Sequence, residues 1–210
     1  MNIINITKSL RFIEMNYMKK SVLAAALAST LMLTGCGYNT LQVKDESVAA
    51  TWSEVQNQYQ RRADLVPNLV NVVKGYAKHE EQVLTEVTEA RANVAGLKVD
   101  KEGLEDPALF EKYQQAQAQM TSALSRLIAV SENYPDLKAN EQFSELQVQL
   151  EGTENRIAVA RNRYITSVQD FNAYSRQFPQ VMTAKVIGMK TKENFKADQS
   201  AQTAPKVSFE

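Results

Sequence analysis

Charged residues on predicted apolar helix faces are the first candidates for chemistry in this sequence. Arg62 and Glu80 occupy positions where the three- and four-residue spacing of apolar side chains continues, and Glu154 lies beside such a position. Because an isolated buried charge is prohibitively costly, each of them needs a polar partner. We predict an internal network in which Arg61 or Arg62 pairs with Glu80 or Glu154. Such a pair would fix helix register more than it would add stability.

The same charges permit a second interpretation, in which they line a groove at one end of the helices. A guanidinium there would capture an anionic group or the backbone of a partner protein. Both interpretations, polar network and partner site, concern the same candidate residues, which are Arg61, Arg62, Asp64, His79, Glu80, Glu154 and Arg156.

His79 is the single histidine, and its position beside Glu80 raises the possibility of general-base catalysis. Catalysis would also require a nucleophile and an orienting partner, and no recognisable spacing supplies either one. We therefore predict a surface or capping contact for His79 and a protein that is not an enzyme. The glutamates that follow, Glu81, Glu86 and Glu89, are typical of a solvated helix face. Their spacing does not fit a calcium or magnesium loop, so neither a metal ion nor a cofactor is expected.

Composition excludes several other classes of protein. The 210 residues contain 24 basic and 24 acidic side chains, and a chain without net positive charge is a poor candidate for nucleic-acid binding. One cysteine and one histidine exclude an intrachain disulfide, a thiolate metal cage and a multi-histidine zinc site. Neither of the glycine-rich phosphate-binding patterns, GxGxxG and GxxxxGK, is present.

The N-terminal region has the layout of a secretory signal peptide. Lys19 and Lys20 form a basic start, an uncharged stretch follows from Ser21, and residues 33–36 read Leu-Thr-Gly-Cys. We predict a signal peptide over residues 1–35, with Met18 as an alternative start. The uncharged stretch has about 15 residues, fewer than the roughly 20 that span a bilayer. An uncleaved anchor helix is the alternative.

The Leu-Thr-Gly-Cys run resembles the lipobox of bacterial lipoproteins. This resemblance implies that the thiol of Cys36 carries diacylglycerol after cleavage on its amino side. The mature chain would then be anchored by lipid to a membrane of the cell envelope, on the periplasmic side. Gly37 follows the cysteine in place of an aspartate that would act as an inner-membrane retention signal, which slightly favours the outer membrane.

The mature chain shows helical periodicity throughout, without a comparable stretch of period two. Its apolar positions recur in four segments, which run from Val48 to Tyr59, Leu69 to Leu97, Leu109 to Tyr134 and Phe143 to Phe178. We predict an all-α fold, an antiparallel up-and-down four-helix bundle over residues 36–188. A flexible polar tail is expected over residues 189–210, with Phe195 and Phe209 as candidate attachment points.

Several residues predict where the helices begin and end. Asp106 followed by Pro107 is typical of a helix start, because aspartate caps the first amides and proline loses nothing at the first position. Asn140 is the expected cap of the fourth helix. Tyr134 precedes a proline, which disfavours helical geometry and predicts the end of the third helix. Pro67 either ends the first helix or kinks a single long one, and we expect a break between the first segment and the second.

The mature sequence also resembles the LemA family of bacterial membrane-anchored proteins. The likeness covers the chain from Tyr38 onward, and it rests on YNTL at 38–41, QRRADLVPNLV at 60–70, VKGYA at 73–77, YPDLKAN at 134–140, LEGTENRI at 150–157, RQFP at 176–179 and PKV at 205–207. Members of the family typically carry one N-terminal transmembrane helix, which the lipobox would replace here. The resemblance implies an extracytoplasmic antiparallel four-helix bundle and no known reaction.

These observations together predict a non-enzymatic, lipid-anchored envelope protein that acts as a scaffold or adaptor. Its expected partners are the membrane, through the lipid anchor, and another envelope or membrane protein. The alternative is a carrier or sensor of a small apolar or lipid ligand held between the helices, since bundles build pockets there. The oligomeric state is left open.

Overall fold

The computed structural model describes the backbone of residues 3–196 and the side chains of 37–196, together with those of 19–20 and 22–23. Six α-helices account for most of this part of the chain, and none of it forms a strand. In chain order the helices are α1 (Ile3–Tyr76), α2 (Glu81–Ala95), α3 (Pro107–Val130), α4 (Pro135–Lys138), α5 (Glu141–Ser175) and α6 (Gln180–Val186). The prediction of an all-α fold is confirmed.

The described residues form two compact units. Unit 1 comprises residues 3–43 and 173–189, and unit 2 comprises residues 44–172 and 190–196. Helices α1 and α5 each contribute residues to both units.

The predicted break at Pro67 is wrong, because α1 continues through this proline to Tyr76. Proline lacks the amide hydrogen that would bond to the carbonyl four residues earlier, which is that of Ala63. In unit 2 that carbonyl accepts a hydrogen bond of 3.0 Å from Nε of Arg91, on α2. The apolar residues after the proline also remain buried on the same face, since Leu69 and Val73 are fully shielded from solvent. Packing and a replacement donor therefore outweigh the intrinsic tendency of proline to end the helix.

Replacing Arg91 by methionine should destabilise the protein by about 1–3 kcal/mol, because the carbonyl of Ala63 would lose its donor. The loss should be smaller in a Pro67→Ala background, where the amide of residue 67 can supply the missing hydrogen bond. Urea unfolding of the four proteins, followed by helical circular dichroism, measures this difference. Equal losses in both backgrounds would contradict the role assigned to Arg91.

The chain turns at residues 77–80 rather than continuing as one helix from Leu69 to Leu97. Glu80 is therefore the residue before α2, and the prediction that it continues an apolar helix face is wrong. Helix α2 packs its buried face, which includes Leu84 and Val87, against α3 and the end of α1. In place of the four predicted segments, the structure has a long α1, a 15-residue α2, a 24-residue α3 and a 35-residue α5.

Two of the predicted helix caps are present. Asp106 accepts hydrogen bonds from the amides of Ala108 and Leu109 and so caps α3, with a proline at the first helical position. The side chain of Asn140 accepts a bond of 2.9 Å from the amide of Phe143 and caps α5. Both caps satisfy amides that have no partner inside the helix.

Residues 190–196 are held by contacts within the fold, although they were expected to belong to a flexible tail over residues 189–210. The Glu193 amide donates to the carbonyl of Leu104 at 2.8 Å, and the Glu193 carbonyl accepts from the Tyr164 hydroxyl at 2.8 Å. Phe195 enters an aromatic cluster in unit 2, whose other members are Trp52, Phe110, Tyr113 and Tyr164. Burial of an aromatic ring together with backbone pairing holds this short polar segment in place. Residues 197–210, including Phe209, lie outside the described residues.

Unit 1 pairs α6 with the part of α1 that follows Cys36. Gly37 is buried there, and a β-carbon at this position would lie 3.4 Å from Cγ of Gln180. Gly188 takes a positive φ of 73° just after α6, a conformation that favours glycine. The side chain of Cys36 lies outside the described residues, so the signal peptide and the lipidation remain predictions. Among the residues described, no helix has a run that is both long and apolar enough to cross a membrane.

Candidate functional site

Arg62 is the most deeply buried charged side chain at the predicted site, with 2% of its surface exposed. Its Nη1 donates to Oε1 of Glu154 at 2.9 Å and to the hydroxyl of Thr121 at 2.8 Å. Its Nη2 donates to the side-chain oxygen of Gln117 at 2.5 Å and to the carbonyl of the same residue at 3.3 Å. The guanidinium also lies over the ring of Tyr59, 5.1 Å from its centre.

These contacts join three helices of unit 2 through one side chain. Arg62 belongs to α1, Gln117 and Thr121 to α3, and Glu154 to α5. Thr121 follows Gln117 by one helical turn, and its hydroxyl donates to the Gln117 carbonyl at 3.1 Å, so both lie on one face of α3. The two terminal nitrogens of the guanidinium therefore make four hydrogen bonds within the fold, and burial shields the side chain from an incoming anion.

An open groove of about 760 Å³ lies above this network. Most of its described lining residues are polar, and they come from α1, α3, α5 and the segment after α6. The lining residues are Tyr59, Arg62, Glu111, Gln114, Gln115, Gln117, Ala118, Thr121, Glu154, Ile157, Arg161, Phe195 and Lys196. The groove offers amides and cations for hydrogen bonding rather than an enclosed apolar cavity.

Arg161 is the cation of this groove that remains available to a ligand. Its guanidinium lies over the ring of Phe195, 4.3 Å from the centre, and no ion pair to it occurs among the described residues. Stacking on an aromatic face leaves the N–H groups at the edge of the guanidinium able to bind a carboxylate. Lys196 adds a second, exposed cation to the same lining.

The structure brings together only two of the seven predicted site residues, Arg62 and Glu154. Arg61 is exposed, and Oδ1 of Asp64 accepts from Nε2 of the Gln60 side chain at 2.7 Å. Arg156 is exposed and donates hydrogen bonds to the side chains of Gln58, at 3.2 Å, and Thr153, at 2.9 Å. Glu80 does not reach Arg62, because it accepts instead from the hydroxyl of Tyr134 at 3.2 Å. His79 is exposed in the turn between α1 and α2.

A second buried charge cluster in unit 2 was not predicted from the sequence. Lys192 is 5% exposed, and its ammonium lies 3.1 Å from Asp45 and 2.6 Å from Glu105. Lys101 also pairs with Asp45, at 2.6 Å, and the hydrogen bond raises the pKa of the Lys101 ammonium. Asn172 fixes the backbone of Lys192 through two hydrogen bonds of 2.8 and 2.9 Å. Lys192 lies in a polar segment without apolar periodicity, so no pattern in the sequence indicates that it is buried.

The side chains of Gln114, Gln115 and Arg161 give this groove groups that can bind a polar or anionic ligand. Its described lining includes neither histidine nor cysteine nor serine, and the one threonine is engaged by Arg62. Burial raises the pKa of Tyr59 and of Tyr113 beyond the ordinary value for a phenol, so both stay neutral at physiological pH. No group of three or more potential metal ligands occurs among the described residues.

Comparison with known proteins agrees with the sequence runs described above. The family model described as LemA family matches residues 51–209. Magnetosome proteins MamQ 1 and MamQ 2 of Paramagnetospirillum magneticum are each 26% identical over 196 residues, which cover 85% of this chain and 70% of the relative. MamQ of Magnetospirillum gryphiswaldense is 24% identical over 188 residues, covering 81% and 67%. Because the family model spans well over half of the sequence, this chain belongs to the LemA family.

Proposed function

We propose that the protein is a non-enzymatic adaptor of the cell envelope, held by a lipid on Cys36 at the periplasmic side of a membrane. Family membership and the MamQ relatives support a membrane-associated protein. The lipobox-like sequence supports the lipid anchor and an extracytoplasmic location, with the outer membrane slightly favoured. The signal peptide over residues 1–35 would be removed during export.

The body of the adaptor would be an antiparallel up-and-down four-helix bundle over residues 36–188, built from α1, α2, α3 and α5. This proposal is supported by their order along the chain and by the short connections between them, such as the turn at residues 77–80. The buried pair of Arg62 and Glu154 would fix the register of three of these helices. A rigid surface is what an adaptor needs to present to its partner.

The partner would bind in the groove above Arg62, and the observation that carries this proposal is the state of the two arginines. Arg62 is buried and hydrogen-bonded to other side chains of the fold, whereas Arg161 lines the groove without an ion pair among the described residues. The amides of Gln114 and Gln115 add donors and acceptors along α3. This combination suits an extended peptide segment with a carboxylate, which Arg161 would bind.

A carrier of an apolar ligand remains the second candidate, supported by a different groove in unit 2. This groove has a volume of about 580 Å³ and lies between α1 and α2, where Val70 and Leu84 contribute apolar surface. Its rim carries charges, including Lys74 and Glu81. Native mass spectrometry of the purified chain distinguishes the two functions, because a carrier would retain a lipid or other apolar molecule that an adaptor lacks.

Replacing Arg161 by glutamine should reduce co-purification of the partner from cross-linked membranes at least tenfold, since a charge-assisted pair contributes about 1.5–3 kcal/mol. Arg163→Gln provides the matched control, because this arginine lies two residues further along α5 and pairs with Glu54 outside the groove lining. Unchanged co-purification of the Arg161 variant, or equal losses in both variants, would contradict the proposed site.

A further inference from the structure

Unit 1 exposes an unusual group of large apolar side chains around α6. Phe178 is 83% exposed in the turn before α6, whereas Met182 and Val186, which are 58% and 85% exposed, lie one helical turn apart on one side of α6. Ile187 adds further apolar surface beside them. Single exposed apolar residues are common on proteins, whereas a contiguous group marks a surface that another phase or molecule covers.

The charge pattern around these residues is one-sided. Within unit 1, residues 173–189 contain no acidic side chain, and they include Arg176 and Lys185. The part of α1 that belongs to the same unit and follows Cys36 is uncharged from Gly37 to Val43. The surface therefore combines apolar side chains with positive charge, as expected for contact with an anionic bilayer.

The position of α6 within unit 1 supplies the second observation. Gly37 is buried against α6, at a distance where a β-carbon would meet Gln180 and Thr183 at 3.4 and 3.9 Å. Cys36 is the adjacent residue in the chain. A lipid attached to that cysteine would therefore enter the membrane next to α6. The anchor alone would therefore hold the exposed apolar side chains near the bilayer surface.

We infer that Phe178, Met182, Val186 and Ile187 form a membrane-docking patch that inserts into the interface of an anionic bilayer beside the lipid anchor. Lys185 contributes attraction to the lipid phosphates from the same helix. This inference rests on the proposed anchor at Cys36 and gives it a consequence, because a docked patch would hold unit 1 against the membrane. A second copy of the chain or a protein partner would shield the patch from water without bringing it close to lipid, so quenching by lipid separates these occupants from a bilayer.

The test uses tryptophan fluorescence of the full lipid-anchored chain in vesicles of phosphatidylethanolamine and phosphatidylglycerol that contain brominated phosphatidylcholine. The chain has one tryptophan, Trp52, which is 3% exposed and gives a constant background. Val186→Trp and Met182→Trp each place a reporter on the patch. Val148→Trp is the matched control, since Val148 is 65% exposed on α5 and belongs to unit 2.

Brominated lipid should remove about half of the added emission of the two patch variants, because a side chain buried ~5–10 Å into the interface lies near the bromines. The emission of Val148→Trp should be unchanged. Adding Lys185→Glu to Val186→Trp should weaken the quenching. Equal quenching in patch and control variants would overturn the inference, and so would blue-shifted emission without quenching, which would indicate a protein occupant.

Flotation of the same vesicles tests the anchor separately. A chain that floats with the vesicles but shows no quenching of the patch would refute the docking patch and leave the proposed anchor intact. A chain that does not float would refute the lipid anchor and with it the proposed function.

Discussion

Replacing Arg62 by leucine should lower the free energy of unfolding by about 3 kcal/mol, the lower end of the range for a broken buried pair. The substitution removes four hydrogen bonds and leaves the Gln117 side chain and the Glu154 carboxylate without their donor. Glu154 has 38% of its side chain exposed, so water can replace part of the lost interaction and limits the cost. Urea unfolding of the detergent-solubilised chain, followed by circular dichroism, measures the loss.

A double-mutant cycle identifies the partner of Arg62. Glu154→Gln should couple to Arg62→Leu by at least about 1 kcal/mol, because the two side chains lie in direct contact. Glu80→Gln is the matched control, since Glu80 binds Tyr134. Its effect on the free energy of unfolding should simply add to that of Arg62→Leu. Strong coupling to Glu80, or none to Glu154, would contradict the network.

Replacing Lys192 by methionine should cost about 3–4 kcal/mol, because it removes the cation that lies between Asp45 and Glu105. Asp45 is 4% exposed and would retain only Lys101. Methionine keeps the length and apolar stem of the lysine, so the substitution tests the charge rather than the packing. The backbone bonds of residue 192 to Asn172 can survive.

Lys190→Met is the control for this second substitution, since Lys190 is exposed on the same segment. It should change the free energy of unfolding by less than about 0.5 kcal/mol. Hydrogen exchange of the amides at 193 and 195 should also accelerate in the Lys192 variant alone. A loss below about 1 kcal/mol for Lys192→Met would show that the segment is held by Phe195 and not by the buried charge.

Local sequence signals predicted the parts of this fold that depend on neighbouring residues. Asp106 and Asn140 cap their helices because an acceptor side chain and the amides that it binds lie within three residues of each other. Arg62 could be identified as buried because its spacing from Tyr59 continues an apolar helix face. The choice of Glu154 as its partner required the packing of α1 against α5, which no local pattern specifies.

The predictions that failed depend on contacts between distant residues. Pro67 does not break α1 because Arg91, 28 positions away from Ala63, supplies the missing donor. The segment from 190 to 196 is polar in composition, and contacts with distant residues, such as the pairing of Lys192 with Asp45 and the packing of Phe195 on Trp52, hold it in place. Such long-range compensation leaves no periodic mark in the sequence.

The central claim, that a lipid on Cys36 anchors this LemA protein in the envelope, is tested most directly by metabolic labelling with a radioactive fatty acid. The wild-type chain should carry the label, and Cys36→Ala should accumulate as an unlabelled precursor, because the thioether requires the thiol. Ser21→Ala serves as a matched control within the signal region and should remain labelled. Label on the Cys36→Ala protein, or its absence from the wild type, would contradict the account.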